Sequence, residues 1–291
     1  MTKYSALALT TSYWKPGDNY IDKITSALCG KIENCDYVVV SEKAISTALG
    51  CMVDESKIQP NLNARLIAHF WMRFGWGYPF GILSHFGPRL LHRLKEYPLE
   101  SGSRHKQVAL QYAGFWQTLM FGSEGGIDGS NLPYAFVSLP LTNADEIAKK
   151  IQKEIQVKMQ KDVCVIIADT DKTYRFRNFF FTPRPEPFRG IHSFGGTATY
   201  ILGRVLNFKK SSTPLAVAGC NLQADEALTI TNIADKARGP GSGATVWDMA
   251  ARFQVDVNGV SWEMLSKIKH KPLVIVRKNW LNDGKKKQII V

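Results

Sequence analysis

The sequence predicts an α+β fold, or an irregular α/β one, built of mixed sheets with helices. Three observations carry this expectation: a strand–helix–strand unit at the start, an amphipathic helix leading straight into a buried strand in mid-chain, and a return to helices before a last apolar strand. No internal repeat or low-complexity linker interrupts the chain, and its 291 residues permit one large domain or two modest ones.

Taken in order, residues 4–11 are apolar and extended, 18–29 have helical spacing, and 36–41 contain the β-branched run Val38-Val39-Val40. Pro16-Gly17-Asp18 forms a turn that hands over to the helix, with Asp18 as its expected N-cap. Residues 61–74 read as helix, the Gly- and aromatic-rich 75–87 as loop, and 105–122, which alternate loosely, as one or two strands. Residues 143–158 are an amphipathic helix with Ile147, Ile151 and Ile155 four apart, and 162–169 follow as a buried strand. In 174–189 aromatic and basic residues interleave, which suits a hairpin with one aromatic face in the core or a surface that stacks bases. Residues 222–236 and 244–253 read as helices, 272–277 as the last strand, and Lys285-Lys286-Lys287 as a solvated end.

The formal charge of +12 points to an anionic partner, either nucleic acid or a phosphorylated or carboxylated metabolite, without choosing between them. The five cysteines are odd in number and form no C-x-x-C pair, so free thiols in a reducing cytoplasm are expected rather than a disulfide framework or a zinc site. No uninterrupted apolar run reaches the ~18 residues that a membrane span needs. The aromatic stretch 66–91 is broken by Arg73, Pro79, His85 and Pro88, so a folded aromatic subdomain is expected there, with a surface-lying membrane segment as the alternative.

Neither a G-x-x-x-x-G-K-[ST] loop nor H-E-x-x-H nor G-x-S-x-G occurs, and the six histidines show no metal-ligand spacing. The glycine-rich 239–243 precedes a helix and suits either a phosphate cradle or a flexible turn with Ser242 near the cap. Two segments carry candidate chemistry. Asp128, Ser130 and Asn131 sit within four residues of a polar, glycine-dense loop, and Asp169-Thr170 stands at the expected end of the buried strand. Asp128, Asp169 and the Thr170 hydroxyl are hard oxygen donors of the kind that magnesium or manganese selects beside substrate phosphates. The same residues also fit an ordinary turn and an ordinary cap.

These segments resemble the coenzyme F420-0:γ-glutamyl ligase family. Ile127-Asp128-Gly129-Ser130-Asn131 is similar to its V-D-x-S-N loop and Ala168-Asp169-Thr170 to its later Asp-Thr step. Residues 38–50 are similar to its V-V-x-[ST]-x-K-x-x-S-K-A-x-G segment, and Ala224-Asp225-Glu226-Ala227-Leu228 to its A-D-E-L-A helix. The resemblance implies an F420 γ-glutamyl ligase-like fold, an intertwined homodimer, and a core over 1–240 with an insertion at 62–106 and a C-terminal extension over 241–291. It also implies a cytoplasmic ligase that joins L-glutamate to an anionic acceptor with GTP as co-substrate. Asp128 and Asp169 would be catalytic and, with Thr170, would hold Mg2+ or Mn2+, while Ser41, Lys43, Ser46 and Asn131 would contact the nucleotide. Three departures stand out: Thr47 replaces a lysine, the glutamine metal ligand has no counterpart, and residues 65–106 are longer than in short members of the family. The cations of that insertion, Arg65, Arg73, Arg89, Arg93, Arg104 and Lys106, are candidates for binding the acceptor, with a solvated basic face as the alternative. A folate- or pterin-type glutamate ligase and a non-catalytic nucleic-acid binder are the competing functions.

Overall fold

The computed structural model describes residues 3–122 and 124–279. Nine strands and twelve α-helices make a mixed α+β architecture among these residues. In chain order they are β1 (Lys3–Thr11), α1 (Tyr20–Leu28), β2 (Tyr37–Ser41), α2 (Glu42–Ala48), β3 (Met52–Asp54), α3 (Leu62–Leu66), α4 (Pro79–Leu83), α5 (Pro88–Lys95), α6 (Leu99–Tyr112) and α7 (Phe115–Thr118). There follow β4 (Phe136–Ser138), α8 (Ala144–Met159), β5 (Cys164–Phe176), β6 (Phe179–Thr182), β7 (His192–Ser193), α9 (Thr197–Val205), β8 (Lys209–Ala218), α10 (Ala224–Arg238), α11 (Val246–Phe253), α12 (Trp262–Ser266) and β9 (His270–Asn279). A π-helix, Ile67–Trp76, continues α3.

The central sheet is open and mixed, in the order β1-β9-β2-β5-β6-β7, with β8 along the other edge of β5. β2 and β5 run parallel, whereas β9 pairs antiparallel with both β1 and β2. Residues 270–279 therefore complete the sheet from within it. The uninterrupted valine and isoleucine runs are explained by burial on both faces. Val38, Val40, Val165 and Ile167 point toward α1, α2 and α8. Val39, Ile166 and Val274 point toward α10. Helix 8 presents Ile147, Ile151 and Ile155 to the sheet, as its spacing predicts.

Several local expectations are corrected. Most of 105–122 is helical, in α6 and α7, and α6 buries Lys106, Gln107, Val108 and Ala109 in succession. Residues 75–87 are largely helical too. Gly81 lets α4 close against the π-helix, where a Cβ would stand 2.2 Å from the Trp76 carbonyl oxygen. Asn19, not Asp18, caps α1, and Thr245, not Ser242, caps α11. Cys164 and Cys220 form a disulfide, because antiparallel pairing of β5 with β8 carries the residues after Ala218 back to the start of β5. Their separation along the chain, 56 residues, hides this. Of the hairpin expected over 174–189, the part up to Thr182 forms one, with Tyr174 opposite Phe181. Lys285, Lys286 and Lys287 lie outside the described residues.

The region from α3 to α7 folds around an aromatic core of its own, formed by Met72, Trp76, Phe86, Leu94 and Tyr97. Both Trp71 and Trp76 donate their indole N–H to the Leu119 carbonyl, at 2.7 and 2.8 Å. Truncating a buried aliphatic at the centre of the sheet tests the two-face burial: Ile166→Ala should cost about 2–5 kcal/mol, read as a lower urea midpoint at unchanged m-value.

Candidate functional site

β2 and β5 are parallel neighbours, and β2 ends at Ser41, opposite Ala168 in mid-β5. Crevices beyond such strand ends are where open α/β sheets bind ligands. Here Ser41, Lys43, Asp169 and Thr170 line one cavity of about 1250 Å3 together with Asp128 and Asn131.

Sequence reading places Asp169 at the end of its strand, but β5 continues to Phe176. Its ladder to β8 slips after Asp169, which faces Thr213, and resumes at Lys172, which faces Ser212. Thr170 and Asp171 occupy the slip. A bulge of this kind re-aims side chains beside a site, and it leaves Thr170 exposed while the strand continues on both sides.

Asp128 is held by an Asx turn. Its Oδ1 accepts from the Ser130 backbone N–H at 2.7 Å and its Oδ2 from the Ser130 hydroxyl at 2.9 Å. Lys43 reaches down from α2 to pair with the Asp128 carboxylate and also donates to Ser130 Oγ at 2.9 Å and Ser130 O at 3.0 Å. Asn131, at a φ of 62°, takes a left-handed conformation that asparagine tolerates. Its Oδ1 accepts from the Ser242 N–H at 2.7 Å and the Ser242 hydroxyl at 2.5 Å. The amide thus anchors the glycine-rich 239–243 loop over the cavity. Ser46 is the exception among the expected nucleotide contacts: its hydroxyl is buried without a hydrogen-bond partner, and the residue does not line the cavity. Thr47, where the family has lysine, does line it, and donates to the Lys43 carbonyl at 2.8 Å.

Two residues absent from the sequence expectations organise this wall. Arg184 donates from Nε to Asp169 Oδ2 at 2.9 Å, from Nη2 to Glu42 Oε1 at 2.7 Å and from Nη1 to the Gly125 carbonyl at 2.5 Å. One buried guanidinium therefore joins the strand, helix and loop that carry Asp169, Lys43 and Asp128. Gly126 makes room for it, since a Cβ there would lie 2.6 Å from Arg184 Cζ. Glu42 also accepts from the Leu141 backbone N–H at 2.8 Å. Burial pushes the Glu42 carboxyl up, to about 7, against the pull of Arg184. Burial would lower Arg184, but Glu42 and Asp169 raise it above its usual range. The only sequence signals were an arginine set between two prolines and a carboxylate two residues after the Val38–Val40 run.

A second charged network closes the neighbouring wall. His105 donates to Glu55 Oε1 at 2.6 Å and to Glu124 Oε2 at 2.8 Å, so both ring nitrogens carry protons. Lys106, fully buried, donates to Glu124 Oε1 at 2.5 Å and to the Met120 carbonyl at 2.7 Å. Burial alone would lower His105, but the two glutamates raise it well above its ordinary value. Burial works to raise Glu124, and Lys106 and His105 overcome it, holding the carboxyl down to about 2. Lys106 is therefore spoken for as a structural cation and is withdrawn from the acceptor-binding candidates. Arg104 pairs with Glu100 and Arg73 donates to the Tyr97 carbonyl. Of the basic insertion, Arg93 lines the cavity, stacked over Trp247 and paired with Asp248.

The sequence profile of the F420-0:gamma-glutamyl ligase family matches residues 8–182. An archaeal protein from Methanocaldococcus jannaschii, called uncharacterized protein MJ1361, is 33% identical over 284 residues, which cover 94% of this chain and 96% of that protein. The profile spans Lys43, Asp128, Asp169 and Thr170 and stops short of Arg184.

The Glu124 network has a pH signature. A carboxyl held below its unfolded value of 4.5 stabilises the fold above that pH, and the stabilisation is lost as pH falls toward about 2. At pH 7, Glu124→Gln should cost about 3–5 kcal/mol by leaving Lys106 buried and unpaired. The gap to wild type in urea unfolding should narrow between pH 4.5 and 3.

Proposed function

The chain belongs to the F420-0:gamma-glutamyl ligase family, and from that premise we propose that it forms an amide bond between L-glutamate and a carboxylate of an anionic, F420-0-like acceptor, driven by a nucleoside triphosphate and a divalent metal. The observation that supports this most is the shared cavity, which Lys43 of α2 and its partner Asp128 line together with Asp169 and Thr170 of β5.

A carboxylate is a poor electrophile at neutral pH, so proximity alone does not make the amide. In the proposed route a carboxylate oxygen of the acceptor attacks the γ-phosphorus, and the oxygen bridging to the β-phosphate leaves with the bond electrons. The glutamate nitrogen then attacks the acyl carbon, inorganic phosphate departs, and the nitrogen gives up its proton. The Lys43 ammonium, on the first turn of α2, supplies a mobile positive charge for the transferring phosphoryl group and exchanges its Asp128 partner for phosphate oxygen. Arg184 positions Asp169 and leaves the other side of that carboxylate free to face the cavity.

The donors Asp128, Asp169 and Thr170 are all hard oxygens. Among the described residues, no group of three His, Cys, Asp or Glu side chains is placed to hold a metal by itself. That donor set fits Mg2+ or Mn2+ completed by water and phosphate oxygens, which is the usual habit of magnesium beside nucleotides. Bound there, the ion would neutralise phosphate charge. The resemblance makes GTP the nucleotide of choice.

The test is phosphate release that requires glutamate, an acceptor and a nucleotide together, with GTP and ATP compared in the presence of Mn2+. Oxygen-18 placed in the acceptor carboxylate should appear in the released phosphate; unlabelled phosphate would refute the acyl-phosphate route. Asp128→Asn and Asp169→Asn should each lower kcat/KM by about a hundredfold or more, with far-UV dichroism unchanged.

A further inference from the structure

The α3–π-helix rod, residues 62–76, is apolar on two sides. Ala64, Ala68, Met72 and Trp76, four apart, are buried toward the protein. Leu62, Leu66, Phe70, Phe74 and, just past the rod, Tyr78 follow the same spacing on the outside and are 43–69% exposed. The outer rings form a continuous ladder, with Phe70 stacked on Phe74 at 6.2 Å and Phe74 on Tyr78 at 6.5 Å. Between the two apolar sides run Arg65, His69 and Arg73; an amphipathic helix normally turns one apolar stripe inward, and here a second one faces outward. Next to it, α4 exposes Ile82 and Leu83, and α9 exposes Leu202 and, at its C-cap, Leu206. These two helices are joined by Arg204, which donates to the Ser84 carbonyl at 2.9 and 3.0 Å.

The charge around this face is mainly positive, with Glu96, paired to His92 at the end of α5, at its border. The sequence contains no Asp or Glu between Glu55 and Glu96, and none between Glu186 and Asp225. Exposed Arg65, Arg89, Lys95, Lys209 and Lys210 lie in those stretches, and Lys95 sits over the Tyr78 ring at 4.4 Å. A second copy placed on this face would bring mostly cations against cations, with Glu96 at the border. An apolar layer topped with negative charge meets both demands at once. Aromatic and aliphatic residues flanked by Lys and Arg are the composition of elements that lie in the interfacial layer of a bilayer. Among the described residues no helix is long and apolar enough to cross a membrane.

We propose that the outer face of the rod is a docking surface for the interfacial layer of an anionic lipid membrane. Phe70, Phe74 and Tyr78 enter the headgroup boundary, and the surrounding Arg and Lys side chains meet the lipid phosphates.

The test is co-sedimentation of the full chain with vesicles of phosphatidylcholine alone and of phosphatidylcholine mixed with phosphatidylglycerol. Binding is expected with the anionic vesicles, weakening by about tenfold or more from 50 to 500 mM salt, and little with the neutral ones. The triple variant Phe70→Ser/Phe74→Ser/Tyr78→Ser should lose about tenfold or more of the affinity at an unchanged Tm. Should that variant not fold, Phe70→Trp reports the same contact, through added fluorescence quenching by brominated lipid relative to wild type. No binding to anionic vesicles, equal binding by the triple variant, or no added quenching would overturn the proposal. So would a dimer in analytical ultracentrifugation that the triple variant abolishes, which would assign the face to a second copy. Binding to an acidic protein in place of vesicles would overturn it as well.

Discussion

Everything at the cavity depends on a single guanidinium. Arg184 has its three contacts on three separate pieces of chain: the Asp169 end of β5, the start of α2 at Glu42, and the loop that leads to Asp128. None of these pieces is adjacent in sequence to another, and each carries a residue of the candidate site. A planar, forked, always-charged group is the side chain that can satisfy three fixed acceptors at once. Burying it with two carboxylates carries a desolvation cost, and such an arrangement is better understood as a device for specifying geometry than as a source of stability.

The second network works on the same principle from the other side. Glu55, His105, Lys106 and Glu124 fasten α6 to the loop that ends in Asp128. Two carboxylates meet two cations, so the charge balances inside the wall. The helical region from α3 to α7 is thereby tied to the loop as well as packed by its aromatic core. The cavity consequently has one wall from the sheet and one from the helical region, both converging on the same short loop.

How much of this could be seen in advance depends on the range of the information. The sheet and its covering helices were legible because their signals are local: Val38–Val40 and residues 163–167 are apolar without a break, and Ile147, Ile151 and Ile155 keep one helical face. The stretch 105–122 was misjudged as strand because Lys106 breaks the apolar pattern of its own helix face. Its burial makes sense only once Glu124 is opposite it. Asp128, Asp169 and Thr170 can be singled out as candidates because each stands in a short motif, and Lys43 because it stands in another. Arg184 and Glu42 were missed because their significance lies in being near each other, across 142 residues. The Cys164–Cys220 pair escaped for the same reason.

The position of β9 bears on how the molecule comes to be made. β1 emerges from the ribosome first, yet its partner in the sheet is β9, and β2 likewise waits for β9 on one edge. Until residue 279 has been synthesised, the nascent protein carries two strands flanking an empty slot, each with a row of unpaired N–H and C=O groups. Contacts of such long range are slow to form, and open edges invite pairing with other chains. Between the synthesis of β1 and that of β9 the sheet stays incomplete, a longer exposure of strand edges than in a topology whose first strand pairs with the next.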